Sequence, residues 1–278
     1  MNYLTKRIRK FSLITKNFDH KKISPLVVVS KIDSKKFKKL ELAAKKFVSK
    51  SKKYKFINKT PNGKIVPKIE VAKEYLKVVT AYRDIILGLN FSSKIYKWVF
   101  PVVRYKDINI DKKFNFRPNR SELPHSDIWA GWDKSSILVM IPLFGDTKNN
   151  RVNFYNLPKK IKIEWLTKKN YKQAQKKFAN LCKPINHEYK KGYVYICDIL
   201  AVHKTMQTKN CRPRVSIDTP IILKSNKKKN NYGINDCLSS KQMLGIGSKL
   251  KLICPLKMGE IDGIAGKKLP STCKVVRF

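Results

Sequence analysis

Between residues 33 and 90, apolar side chains recur at three- and four-residue steps, with lysines between them: Phe37, Leu40, Leu42, Ala43 and Phe47, then Val71, Ala72, Tyr75, Leu76 and Val79. That period marks amphipathic helices. Two are expected, separated by a turn at Pro61-Asn62-Gly63. The second is expected to end near Gly88-Leu89-Asn90, where Gly or Asn can take a left-handed cap. From Trp98 the pattern changes to short apolar runs broken by Pro, Asn, Asp and Gly: WVFPVVRY, SSILVMIPLF, RVNFY, KIKIEWL, GYVYICDI and RVSIDTPIIL. Such runs read as strands, with KKNYKQAQKKF (168–178) as a helical insertion among them. Beyond Lys224 come a charged loop, SNKKKNN, and a tail dotted with Gly245, Gly247, Gly259, Gly263 and Gly266. The pattern divides the chain into a helical region (1–94) packing on the core, a β-rich core (95–225) and an appendage (226–278).

Composition narrows the class. The chain has 278 residues, 42% of them hydrophobic, enough for one large domain with a sizeable core. It carries 62 Lys+Arg against 19 Asp+Glu, a formal net charge of +43. Such an excess suggests a polyanionic partner, yet only 10 of the basic residues are Arg, the side chain whose fork reads phosphate and base edges. A lysine surplus of this kind fits a coding bias spread over the surface better than a nucleic-acid reader. No run approaches the roughly 18 apolar residues of a membrane span; the best, 137–144, is strand-length and holds Pro142. The first residues, MNYLTKRIRKFSLITKNF, lack the apolar stretch of a secretory signal, so a soluble, cytoplasmic protein is expected. Cys182, Cys197, Cys211, Cys237, Cys254 and Cys273 form no CxxC pair and read as ordinary thiols.

Four histidines are present: His20, His125, His187 and His203. His125-Ser126-Asp127 falls where a β segment is expected, and residues i and i+2 of a strand project to one face, so an imidazole and a carboxylate can address one point. His203 follows a strand-like run 78 residues later, far enough for a β-sandwich to return it to that point. Two His and one carboxylate make the facial triad that leaves one face of Fe(II) open. H-x-D alone occurs by chance in many chains. Eleven residues after His203, however, Arg214-Val215-Ser216 heads another strand, with Arg214 and Ser216 on one face. An Arg fork beside a hydroxyl suits a carboxylate held bidentately.

With PHSDIWAGW (124–132), SSILVMIPLFG (135–145), GYVYICDILAVHKT (192–205) and RPRVSIDTPI (212–221) in this order, the chain resembles the Fe(II)/2-oxoglutarate-dependent dioxygenases. Within them it looks most like the phytanoyl-CoA-hydroxylase-like branch and the oxygenases of streptomycin-type aminoglycoside and polysaccharide gene sets. The resemblance covers residues 95–225. It implies a double-stranded β-helix, or jelly roll, whose major sheet is covered by flanking helices; the short strands argue for a sandwich or barrel on their own. By the same resemblance His125, Asp127 and His203 are iron ligands, Arg214 pairs with the distal carboxylate of 2-oxoglutarate, and Ser216 is its hydroxyl neighbour. It further implies Fe(II), 2-oxoglutarate and O2 as cofactor and co-substrates, succinate and CO2 as products, and hydroxylation of a small polar, anionic or sugar-containing molecule. Asp127 disfavours the halide-binding variant of the family, which lacks the carboxylate.

Rival assignments stay open at this level. Arg212 is a second candidate anchor, disfavoured because it precedes Pro213 and lacks the R-x-S partner. His187, near Pro184 and Glu188, reads as a solvated loop residue, and His20, in NFDHKK, is a still weaker ligand candidate. Trp129 and Trp132 serve equally as pocket-mouth or core residues, and Asn153 and Arg117 are candidate polar contacts. A basic nucleic-acid-binding jelly roll without iron chemistry, or an oxygenase acting on nucleic acid, is the rival function, supported by net charge alone.

Overall fold

The computed structural model describes residues 3–16, 19–58, 61–89, 91–108, 121–130, 132, 134–158, 175 and 181–224, with strand segments at 237–239, 252–255 and 273–276. The expected strand at KIKIEWL, the helical insertion at 168–178 apart from Gln175, the SNKKKNN loop, the tail glycines, Asn90 and Arg117 lie outside these residues. The described part holds three α-helices, α1 (Tyr3–Thr15), α2 (Ser34–Lys53) and α3 (Ala72–Leu87). Two of them follow the predicted stripes. Helix α2 starts where the Asp33 side chain accepts from the Lys36 N–H and buries Leu40, Ala44, Phe47 and Val48; α3 buries Tyr75, Leu76, Val79, Tyr82 and Ile86. The turn between them falls at Pro61–Gly63, with Asn62 and Gly63 at positive φ. Gly88, by contrast, takes no left-handed cap. Its φ is −74°, and α3 ends in a tightened turn with Gly88 N–H on Ile85 O and Leu89 N–H on Ile86 O.

The strands are β1 (Lys21–Ser24), β2 (Val27–Lys31), β3 (Ile95–Val99), β4 (Val102–Lys106), β5 (Ser136–Gly145), β6 (Asn150–Asn156), β7 (Lys183–Pro184), β8 (Tyr193–Asp198), β9 (Val202–Gln207), β10 (Arg214–Leu223), β11 (Cys237–Ser239), β12 (Leu252–Pro255) and β13 (Cys273–Val276). A large sheet runs β1-β2-β8-β5-β10-β3-β11, with β4 also paired to β10, and a small one runs β7-β6-β9. Pairing is antiparallel throughout. The chain leaves the large sheet after β5, pairs in the small one as β6 and β7, returns as β8, crosses again as β9 and returns as β10. That winding is a jelly roll of two open sheets with flanking helices, the mainly β class expected from the sequence.

Alternation along the strands sorts the core. Ile137, Val139, Ile141, Val194, Ile196, Val215 and Ile217 pack outward on α2 and α3, so the helices do cover the major sheet. Leu138, Met140, Tyr195 and Cys197 face inward, toward Val152, Phe154 and Val202 of the small sheet. By the same alternation Arg214 and Ser216 lie on the inner face. Among the described residues no helix is long and apolar enough to cross a membrane.

The end of β5 is shaped by Gly145, paired with Arg214. Its φ is +85°, and a Cβ there would stand 2.3 Å from Pro213 O, a backbone atom. Gly145→Ala is therefore expected to destabilise the fold by roughly 1–3 kcal/mol, the cost of a strained backbone position. A melting temperature equal to wild type would show that this strand end yields freely.

Candidate metal centre

The three residues singled out as ligands meet at one point. His125 joins the edge of β9 through a single bridge to His203: each N–H donates to the other's carbonyl at 2.9 Å. Bridged residues of this kind carry their side chains on one face, and the two imidazole centroids are 4.4 Å apart. Nδ1 of His125 faces Leu123 O at 2.9 Å, and Nδ1 of His203 faces Ala201 O at 3.2 Å. A carbonyl only accepts, so each Nδ1 serves as the N–H donor, the orientation in which a neutral ring turns its Nε2 lone pair toward a metal. Asp127 Oδ2 lies 3.8 Å from His203 Nε2, and one donor atom from each of the three residues falls within 4.8 Å of the others.

Asp127 reaches this point by a different route from the one expected. It does not continue a strand; it opens a 3-10 turn, Asp127–Ala130, with Trp129 N–H on Ser126 O. The chain turns because the buried Ser126 hydroxyl donates to Ile199 O and because Ile128 and Trp129 drop into the inner core. Trp129 is thus a core residue, and Trp132 packs against the same cluster.

At the other end of the inner face Arg214 is 2% exposed and Ser216 3%. Arg214 Nη1 donates to Asn150 O at 3.1 Å, and its guanidinium lies over the Tyr189 ring at 5.3 Å. Arg212 is exposed and precedes the strand. A wall of rings connects the two ends: Tyr189 to Tyr195 at 4.8 Å, Tyr195 to Phe154 at 6.1 Å, and Phe154 to His203 at 6.4 Å. Burial raises the Tyr189 phenol and pushes the Tyr195 phenol up to about 12, so both rings stay neutral. Burial likewise pushes the Cys182 thiol up to about 12 and that of Cys197 far up, helped by the nearby Asp127 charge. Neither supplies a thiolate.

Two site residues escaped the sequence. Lys106, 1% exposed, is the register partner of Arg214 across β4 and β10, so both side chains share the inner face. Its Nζ donates to Ser121 Oγ at 3.0 Å. The only signal, a lysine closing an apolar strand, is lost in a lysine-rich chain. The asparagine that meets Arg214 is Asn150; its Nδ2 also donates to Lys106 O and Arg212 O. Asn153 pairs with Lys204 and alternates with the inward Val152 and Phe154, which places it on the other face. The half-buried His187 is not a solvated loop residue. Its ring lies 4.9 Å from Phe154, between Ile185 O and Val152 O, each 3.1 Å away, and burial lowers its pKa. His20 precedes β1 and is not one of the gathered ligands.

No protein-family model matches the sequence, and no curated protein is similar to it. Among solved structures the chain is similar to SnoN, the non-heme alpha ketoglutarate dependent epimerase from nogalamycin biosynthesis, at 9% identity and a TM-score of 0.46, covering 78% of this chain and 83% of that one. It is also similar to AviO1 from Streptomyces viridochromogenes Tue57, at 9% identity and a TM-score of 0.43, covering 79% and 97%. An N-substituted L-amino acid dioxygenase in complex with alpha-KG from Burkholderia ambifaria AMMD is similar at 10% identity and a TM-score of 0.35, covering 77% and 86%. At these scores none of the three bears on the chemistry of this chain.

Proposed function

We propose that this chain is an Fe(II)- and 2-oxoglutarate-dependent oxygenase of the phytanoyl-CoA-hydroxylase-like branch. In this proposal it hydroxylates a small polar or sugar-containing molecule with release of succinate and CO2. The observation that carries it is the meeting of His125, Asp127 and His203 within 4.8 Å, on a fold whose inner face also buries Arg214. Two imidazoles and one carboxylate are a donor set for iron among the divalent metals, and three protein ligands leave coordination positions for other molecules. Bound iron supplies the oxidative decarboxylation of 2-oxoglutarate by O2. The protein's own share is to hold and orient. The carbonyls of Leu123 and Ala201 fix the tautomers of the two imidazoles, Arg214 and Ser216 receive the distal carboxylate, and Phe154, Tyr195 and Tyr189 keep water out between them.

Lys106 adds a second buried positive charge where that carboxylate is received. Replacing it with methionine is expected to weaken 2-oxoglutarate binding roughly tenfold, the scale of one charge-assisted hydrogen bond, with iron binding in the absence of 2-oxoglutarate unchanged. Equal 2-oxoglutarate affinity in Lys106→Met, measured by anaerobic calorimetry, would remove Lys106 from the anchor.

The activity is tested by incubating the protein with Fe(II), 2-oxoglutarate, a reductant and O2, and measuring succinate without any prime substrate. Slow, iron-dependent succinate formation supports the assignment. An iron-loaded protein that makes none, alone or with sugars and amino acids added, opposes it. The rival, nucleic-acid binding, predicts affinity for RNA or DNA that falls steeply with salt.

A further inference from the structure

Helix α1 is not read from the hydrophobic pattern because two of its three buried residues, Arg7, Phe11 and Thr15, are polar. Arg7 carries the unusual contact. Its Nε meets Asp198 Oδ2 at 2.5 Å and its Nη2 donates to Ser136 O at 3.3 Å, the two side chains of the pair being 8% and 1% exposed. A buried ion pair adds little net stability, since an apolar pair of the same shape is often as stable or more so. What it does confer here is direction, because the same carboxylate has a second task.

Asp198 ends β8 and organises the short turn into β9. Its Oδ1 accepts from Leu200 N–H at 2.9 Å, its carbonyl accepts from Ala201 N–H at 2.8 Å, and its own N–H is held by Leu26 O. The two carbonyls presented by this turn are those that reach the metal centre. Ile199 O receives the hydroxyl of Ser126, which stands between His125 and Asp127. Ala201 O receives Nδ1–H of His203. All three candidate ligands are thereby tied to one turn, and that turn is fixed from behind by a carboxylate that Arg7 holds in place.

We propose that Arg7 and Asp198 are positioning residues for the metal centre, and that α1 acts as a clasp setting the geometry of His125, Asp127 and His203. The inference rests on the assignment of those three residues as iron ligands. Groups that orient metal ligands from behind typically change metal affinity 10- to 100-fold when lost. A loss of that size is expected for Arg7→Met, a smaller one for Arg7→Lys, which keeps the charge without the fork, and one comparable to Arg7→Met for Ser126→Ala, which cuts only the bond to Ile199 O.

The test is anaerobic calorimetry of the full chain with Fe(II) alone, below the melting temperature of each variant. Phe47→Leu, in the α2 core remote from the turn, serves as a control for general destabilisation. The proposal expects Arg7→Met and Ser126→Ala to lose iron affinity while Phe47→Leu binds as wild type, even where its melting temperature falls as far. It is overturned if a folded Arg7→Met protein binds iron as wild type, whatever Ser126→Ala does, or if Phe47→Leu loses affinity in proportion to its melting temperature. If Arg7→Met does not fold, Arg7→Lys and Ser126→Ala decide by the same criterion. A wild-type chain that binds no Fe(II) overturns the ligand assignment itself, and the clasp with it.

Discussion

Asp127→Ala is expected to abolish Fe(II)-dependent succinate formation while the protein stays folded. Asp127 supplies the only carboxylate of the gathered set, and its removal leaves two imidazoles as protein ligands. Loss of a direct ligand, and the one that brings negative charge, costs more than loss of a group behind a ligand, so the fall in iron affinity should exceed the 10- to 100-fold of the latter. The fold should tolerate the change: the Asp127 side chain is partly exposed and belongs to neither hydrophobic cluster. The check is calorimetry with Fe(II), beside a melting curve. Unchanged iron affinity in a folded Asp127→Ala protein would sink the three-ligand assignment and move attention to other donors near the His125–His203 bridge.

The second large effect is expected at Arg214. Arg214→Ala should raise the 2-oxoglutarate concentration needed for half-saturation by roughly 10- to 150-fold, the loss of a hydrogen bond to a charged group of about 1.5–3 kcal/mol. Arg214→Lys should lie between, because the charge survives and the bidentate fork does not. Iron binding without 2-oxoglutarate should be unaffected in both, since Arg214 sits at the far end of the aromatic wall from His203. The contrast separates an anchor from a general structural residue. An unaltered 2-oxoglutarate requirement would hand the role to Lys106, the register partner of Arg214, or to the exposed Arg212.

Much of this site was legible because its residues flank or head short apolar runs, and because two of them, Arg214 and Ser216, stand two positions apart in one strand. Arg214 and Ser216 share a face as their i, i+2 spacing implied, paired with Lys106 and Arg104 of β4; β5, β8 and β10 are themselves buried on both faces. Helices α2 and α3 show their stripes because tertiary packing uses those apolar positions. What stayed hidden depends on register or on polar burial. Faces alternate residue by residue along a strand, so Asn153, three positions from Asn150 in β6, lies on the opposite face, and it is Asn150 that meets Arg214. Lys106 and Arg7 are buried cations, and in a chain so rich in lysine and arginine nothing in the sequence marks them as such. The turn at Asp127 was read as strand because the cause of the turn, Ser126 bonding to Ile199 O, spans 73 residues. The hairpin of β1 and β2 extends the large sheet through pairing with β8, a long-range contact that the short run VVV does not announce.

In the proposed enzyme one pocket holds iron through His125, Asp127 and His203 and a 2-oxoacid between that iron and Arg214. That arrangement is tested most directly by titrating the apo protein anaerobically with Fe(II) and 2-oxoglutarate while recording the visible spectrum. A weak metal-to-ligand charge-transfer band is expected that needs both components, saturates, and is absent from Asp127→Ala. A wild-type protein that stays colourless and binds neither component by calorimetry would contradict it.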